Sequence, residues 1–188
     1  TLKTENVYVG IPKTLLELRA SHECAVIEVG IDEIGAMENH MPIVSPTHSL
    51  VTSIGPEHLE KLKDVETVAA EEIKAITLVA KQNGFVAINL DDHYLSKLFF
   101  KNAFYYTLQS SSANAQHSSA EQSATTPGNA LRSSSRNKGG ALVNDGQKVV
   151  GTYHAESNQL QITHDTNEIT LSVPLPGSHN ASNLLAAV

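Results

Sequence analysis

Three residues of this chain stand out as candidate ligands of a divalent cation. Glu28 lies in the apolar run "AVIEVG", His58 in "GPEHLE" and Glu72 in "VAAEEIKAI". Around Glu72, the apolar positions Val65, Val68, Ala69, Ile73, Ile76, Val79 and Ala80 follow the spacing of one buried helix face. At roughly 100° per residue, Glu72 falls near the middle of that stripe, while Glu71 and Lys74 point away. An isolated buried carboxylate is costly and protonates unless something compensates its charge. Glu28 is expected near the carboxyl end of one strand and His58 just beyond the next, the edge where open α/β sheets bind ligands. A helix packed on that sheet could bring Glu72 to both. Carboxylate-rich sites favour Mg²⁺ or Mn²⁺, and Mg²⁺ keeps several waters and borrows phosphate oxygens from substrate. On spacing alone a second reading stands: a partly exposed Glu28, a surface His58, and a Glu72 that snorkels off the helix edge.

The elements that must position these groups follow from periodicity and punctuation. "IPKTLLELRA" (11–20) reads as a helix with Pro12 in its first turn. "CAVIEVG" (24–30) reads as a buried strand, and "HSLVTSI" (48–54) as a second strand ended by Gly55-Pro56. The helix at 65–82 stops at Asn83-Gly84. "FVAINL" (85–90) and "AFYYTL" (103–108) are further strands, the latter with one of Tyr105 and Tyr106 facing in and the other out. Asp91 and Asp92 between them are read as helix caps. Strands and helices alternating at this spacing predict an α/β fold with a mostly parallel sheet flanked by helices.

Residues 109–140 are dominated by serine and hold no aromatic residue, which predicts a flexible surface insertion. The runs "KVVGTYHA", "QLQITHD" and "EITLSVPL" then alternate as a small antiparallel meander, His154 and His164 in it are read as exposed, and "GSHNASNLLAAV" opens a helix.

Composition narrows the function classes. The 188 residues carry a net charge of −7 with no block of Lys or Arg, which argues against a nucleic-acid surface. No apolar run is long enough to span a membrane. The single cysteine, Cys24, excludes an internal disulfide and is read as a small core residue. The chain is expected to be monomeric, and its abrupt ends suggest an excised piece of a longer protein.

The order and spacing of "AVIEVG", "GPEHLE", "NLDD" and "PLPGSHNASNLLAAV" resemble the central ATPase domain of the Mur ligases, a P-loop NTPase-like domain. The nearest pattern is the type that adds D-alanyl-D-alanine to a UDP-linked muramoyl tripeptide. The resemblance covers most of residues 1–188 outside the serine-rich stretch, and "PGSHNASNLLAA" is its most specific part. It implies a cytoplasmic ligase that uses ATP and Mg²⁺ to join an amino acid or dipeptide to a UDP-linked muramoyl peptide through an acyl phosphate. By the same resemblance Glu28 and His58 match the metal-binding glutamate and histidine. Glu72 falls on the lysine that many members carry as a carbamate, so a native carboxylate would do its work. Asn180 and Asn183 match the asparagines that hold adenine, and His179 precedes them.

The departures set limits on these expectations. The Gly-Lys-Ser/Thr phosphate loop and the C-terminal domain are absent from the chain, so the 188 residues alone are expected to be inactive. In "DEIGAM", Glu33 stands where relatives carry a histidine, and the acid after Gly35 is missing. A folylpolyglutamate synthase-like or cyanophycin-like ligase also fits the "PLPGSHNASN" ending, and a non-catalytic binding module on the same fold is the alternative from another class.

Overall fold

The computed structural model describes residues 6–110 and 148–188. Its elements run α1 (Gly10–Leu16), α2 (Ala36–Val44), β1 (His48–Val51), α3 (Leu59–Leu62), α4 (Val65–Lys81), β2 (Phe85–Asn89), a 3₁₀ turn (Leu95–Lys97), β3 (Ala103–Ser110), β4 (Lys148–His154), β5 (Gln159–His164), β6 (Asn167–Ser172) and α5 (Ser178–Ala187). The six strands form one sheet in chain order. β1 to β4 are parallel, and β5 and β6 add antiparallel. The expected meander is therefore continuous with the parallel sheet, because β4 also pairs with β3.

α4 forms where its signals predict. Asp64 caps it, its side chain accepting from the Thr67 N–H at 2.8 Å and the Thr67 hydroxyl at 2.6 Å. Those bonds hold the Asp64 carboxyl below the ordinary carboxylate range. At the other end Asn83 turns left-handed (φ +60°), and the Gly84 N–H returns to the Val79 carbonyl at 3.0 Å, closing the helix. Val68, Ala75, Ile76 and Val79 then pack on Val86, Ile88 and Tyr105. On the opposite face α5 buries Ala181 and Leu185 against Tyr106, Tyr153, Leu160 and Ile162. Both tyrosines are thus buried, not one in and one out, because a helix covers each face. Burial first, then the charges of Asp91 and Asp92, push the Tyr106 phenol up to about 12.

Several expectations are corrected here. Residues 24–30 form no strand: Val26 is 91% exposed and Cys24 is exposed, not in the core. A strand needs a ladder beside it, and among the described residues none lies along this run. α1 stops at Leu16 and β1 at Val51, each short of its predicted end. Asp91 caps no helix. Its carboxylate accepts from the Thr107 hydroxyl and, at 2.6 Å, from the Leu108 N–H, and so fastens β3. The cap is Asp92 alone, which accepts from the N–H groups of Tyr94 (2.8 Å) and Leu95 (2.9 Å). His154 and His164 are half-buried, not exposed. The serine-rich stretch lies outside the described residues except for its first two positions, which end β3. Among the described residues no helix is long and apolar enough to cross a membrane.

Asp92 also reaches across the sheet edge to the Ile54 N–H at 2.8 Å. Asp92→Ala would strand three N–H donors at once. The expected cost is about 3 kcal/mol of unfolding free energy, read by urea denaturation. Asp92→Asn, which keeps one acceptor oxygen, should recover part of that loss.

Candidate functional site

The start of α5 is built by a glycine. Gly177 has φ +126° and ψ +145°, and a Cβ there would come within 2.9 Å of the His179 ring. The Ala181 N–H bonds the Gly177 carbonyl at 3.1 Å, and the Asn180 amide donates to the Pro176 carbonyl at 3.1 Å. His179 and Asn183 are exposed one helical turn apart, with Asn180 beside them. Behind this face Gly151 lets the helix approach the sheet, since a Cβ on it would meet Leu185 at 2.7 Å. Side-chain amides both donate and accept, so two of them at one helix end can pair with the edge of a heterocyclic base.

The carboxylates of α4 take different places from those expected. Glu71 is 2% exposed and ion-pairs with Lys74 at 2.6 Å. Lys74 also reaches Glu38 of α2 at 3.4 Å, and Glu71 chiefly, with Glu38, raises its pKa. Glu71 and Lys74 therefore do not point to solvent. α4 packs on α2 as well as on β1 and β2, which widens its buried arc beyond one stripe. Glu72 is half-buried and faces Glu57 of the "GPEHLE" loop. Burial, then the charge of Glu57 and a hydrogen bond with it, then the charge of Glu71, raise the Glu72 carboxyl to about 7. Glu72 thus holds its proton up to near neutral pH.

Glu28 is exposed and accepts from the Asn6 amide at 2.8 Å. His58 is exposed at a left-handed turn (φ +46°) and opens α3, its carbonyl accepting from the Lys61 and Leu62 N–H groups at 2.9 Å. Lys61 meets Asp32 at 3.4 Å. Glu33 accepts from the Tyr8 hydroxyl at 2.8 Å, which raises the Tyr8 phenol. Among the described residues no group of three His, Cys, Asp and Glu side chains stands close enough to hold a metal ion. The structure brings Glu72 to Glu57 and does not close a ring of Glu28, His58 and Glu72. Sequence reasoning passed over Glu57, whose signal was its place next to His58 in a loop that follows a strand.

The profile of the Mur ligase middle domain matches residues 1–188. Over 187 residues the chain is 28% identical to UDP-N-acetylmuramoyl-tripeptide–D-alanyl-D-alanine ligase of Buchnera aphidicola subsp. Baizongia pistaciae, covering 100% of this chain and 34% of that protein. The protein of the same name from Synechocystis sp. is 24% identical over 186 residues, covering 97% of this chain and 32% of that protein. A crystal structure of MurF from Acinetobacter baumannii shares the fold with a TM-score of 0.63 at 19% identity, covering 98% of this chain and 34% of that one. The chain spans about a third of the length of these relatives. With the profile matching from the first residue to the last, the chain belongs to the Mur ligase middle domain family.

Proposed function

We propose that the chain is the nucleotide- and Mg²⁺-binding part of an ATP-dependent ligase that forms an amide bond through an acyl phosphate. The proposed substrates are a UDP-linked muramoyl tripeptide and D-alanyl-D-alanine, after the names of the relatives. The setting is peptidoglycan precursor synthesis in the cytoplasm. The observation that carries the reading is the α5 turn, where "PGSHNASN" folds into a helix start that presents His179, Asn180 and Asn183 together. Asn180 and Asn183 are assigned to the adenine, with His179 beside them.

The donor chemistry suits Mg²⁺, which uses one or two protein carboxylates and fills its other positions with water and phosphate oxygens. Glu72 and Glu57 supply such a pair, and Glu28 and His58 are assigned as further metal-binding residues. When bound, the ion supplies positive charge against the phosphoryl oxygens. Glu72 provides without modification the anionic group that relatives obtain from a carbamylated lysine. Lys74 holds Glu71 by an ion pair, so Glu71 is engaged elsewhere and Glu72 is left for the ligand side.

In the full-length protein, ADP release should require Mg²⁺, the UDP-linked tripeptide and D-alanyl-D-alanine together. ADP release that needs neither peptide substrate would contradict the reading. Glu72→Gln should lower the Mg²⁺-dependent rate on the order of 10²-fold, as loss of one charge-assisted contact near the reacting group does elsewhere. Glu72→Lys should recover activity only as bicarbonate is added.

Stability should also report the Glu57–Glu72 contact. The Glu72 pKa is about 7 in the folded chain against an ordinary 4.5. The folded state therefore binds the proton more tightly, and its stabilising effect is full below pH 4.5 and lost as pH rises through 7. Glu72→Gln stays neutral throughout. With chelator present it should be more stable than the parent at pH 8, by about 1–2 kcal/mol after allowance for solvent screening, and equal to it at pH 4.5. Thermal denaturation at the two pH values checks this.

A further inference from the structure

We infer that Tyr153 and Asn158 are positioning residues for the base-binding end of α5: a hydrogen-bonded relay from Asn158 through the Tyr153 phenol to Gly177 fixes the turn that aims Asn180 and Asn183. The inference rests on the assignment of those asparagines to the adenine. It adds two residues that lie on other elements and touch no ligand.

The relay is continuous in the structure. Tyr153 is buried in β4, and its hydroxyl donates to Asn158 Oδ1 at 2.8 Å and accepts from the Gly177 N–H at 3.0 Å. Asn158 sits in the β4–β5 turn in the left-handed region (φ +51°), which asparagine adopts more readily than most residues. Its amide donates to the Val173 carbonyl at 2.6 Å, and its own carbonyl accepts from the Val173 N–H at 2.9 Å. Asn158 therefore holds both backbone polar groups of Val173, and Tyr153 holds the N–H of Gly177. Between these two grips lie Pro174, Leu175 and Pro176, all exposed. Neither proline has an N–H to anchor the loop.

The consequence reaches the helix start directly. Gly177 is the residue whose carbonyl receives the Ala181 N–H, and the adjoining Pro176 carbonyl receives the Asn180 amide. A displaced Gly177 carries the first turn of α5 with it. The direction of the Asn180 and Asn183 amides toward a base then depends on a phenol in the middle of the sheet. General scaffolding would hold the whole domain equally. This relay acts on one loop, so its loss should be felt by the base and not by the phosphates.

The test uses the full-length protein and titration calorimetry with ADP and GDP. For Tyr153→Phe and for Asn158→Ala the Kd for ADP should rise about tenfold, the scale of one lost hydrogen bond, with the ADP-over-GDP preference falling by the same factor. Asn183→Ala is run alongside. If Asn183→Ala weakens ADP while both relay variants keep the parent's preference, the positioning role is overturned and the adenine assignment stands. If Asn183→Ala leaves the preference intact, the assignment itself fails and the inference with it. ADP and GDP weakening in equal proportion in the relay variants would mean general destabilisation and overturn the inference. Should Tyr153→Phe fail to fold by circular dichroism, Asn158→Ala decides alone.

Discussion

The carboxyl ends of three parallel strands have to be closed with polar partners, and one short segment does it. Asn89 donates to the Thr52 carbonyl at 2.7 Å and accepts from the Asp91 N–H at 2.9 Å. Asp91 fastens the end of β3 at Leu108, and Asp92 fastens the chain beyond β1 at Ile54. A strand end left with bare N–H and carbonyl groups in a part-buried place loses about as much as a lost hydrogen bond for each group. "NLDD" thus ties β1, β2 and β3 to one another at the edge where open α/β sheets in general bind ligands. Ile54 leads straight into the loop that carries Glu57 and His58. The position of Glu57 opposite Glu72 therefore depends on Asp92, which lies far along the chain.

The two faces of the sheet divide the work. On one, α4 brings an acidic turn to the loop after β1, and Lys74 neutralises Glu71 so that a single half-buried carboxyl, Glu72, is left opposite Glu57. On the other, α5 lies close to the sheet over Gly151 and presents amides and an imidazole. A site that handles a phosphate-bearing nucleotide needs both kinds of chemistry, charge for the phosphates and directional hydrogen bonds for the base. The mixed sheet allows this because β4 pairs in parallel with β3 and also starts the antiparallel turns that lead into α5.

Much of this was legible in the sequence, for local reasons. α4 carried its own stop signal in Asn83-Gly84, and β2, β3 and α5 were bounded by residues that act within one turn. What failed were inferences about neighbours. "CAVIEVG" is apolar enough for a strand, but apolarity reports a need for burial and not the presence of a ladder. Glu71 and Glu72 are only one step apart on the helix, and the periodicity could not tell which would be enclosed once α2 joined the sheet around α4. Asp91 and Asp92 read alike as caps, whereas pairing across β3 gave them different partners. Glu57 went unweighed because its importance comes only from what stands across from it.

The proposed function rests on one nucleotide with its base on α5 and its metal at the Glu72 carboxylate. The most direct measurement is anomalous diffraction from crystals of the full-length protein grown with Mn²⁺ and ADP. The account predicts a Mn²⁺ peak bonded to Glu72, with the adenine hydrogen-bonded to Asn180 and Asn183. A metal bound away from Glu72, with Glu72 still paired to Glu57 and the base lying off α5, would contradict it.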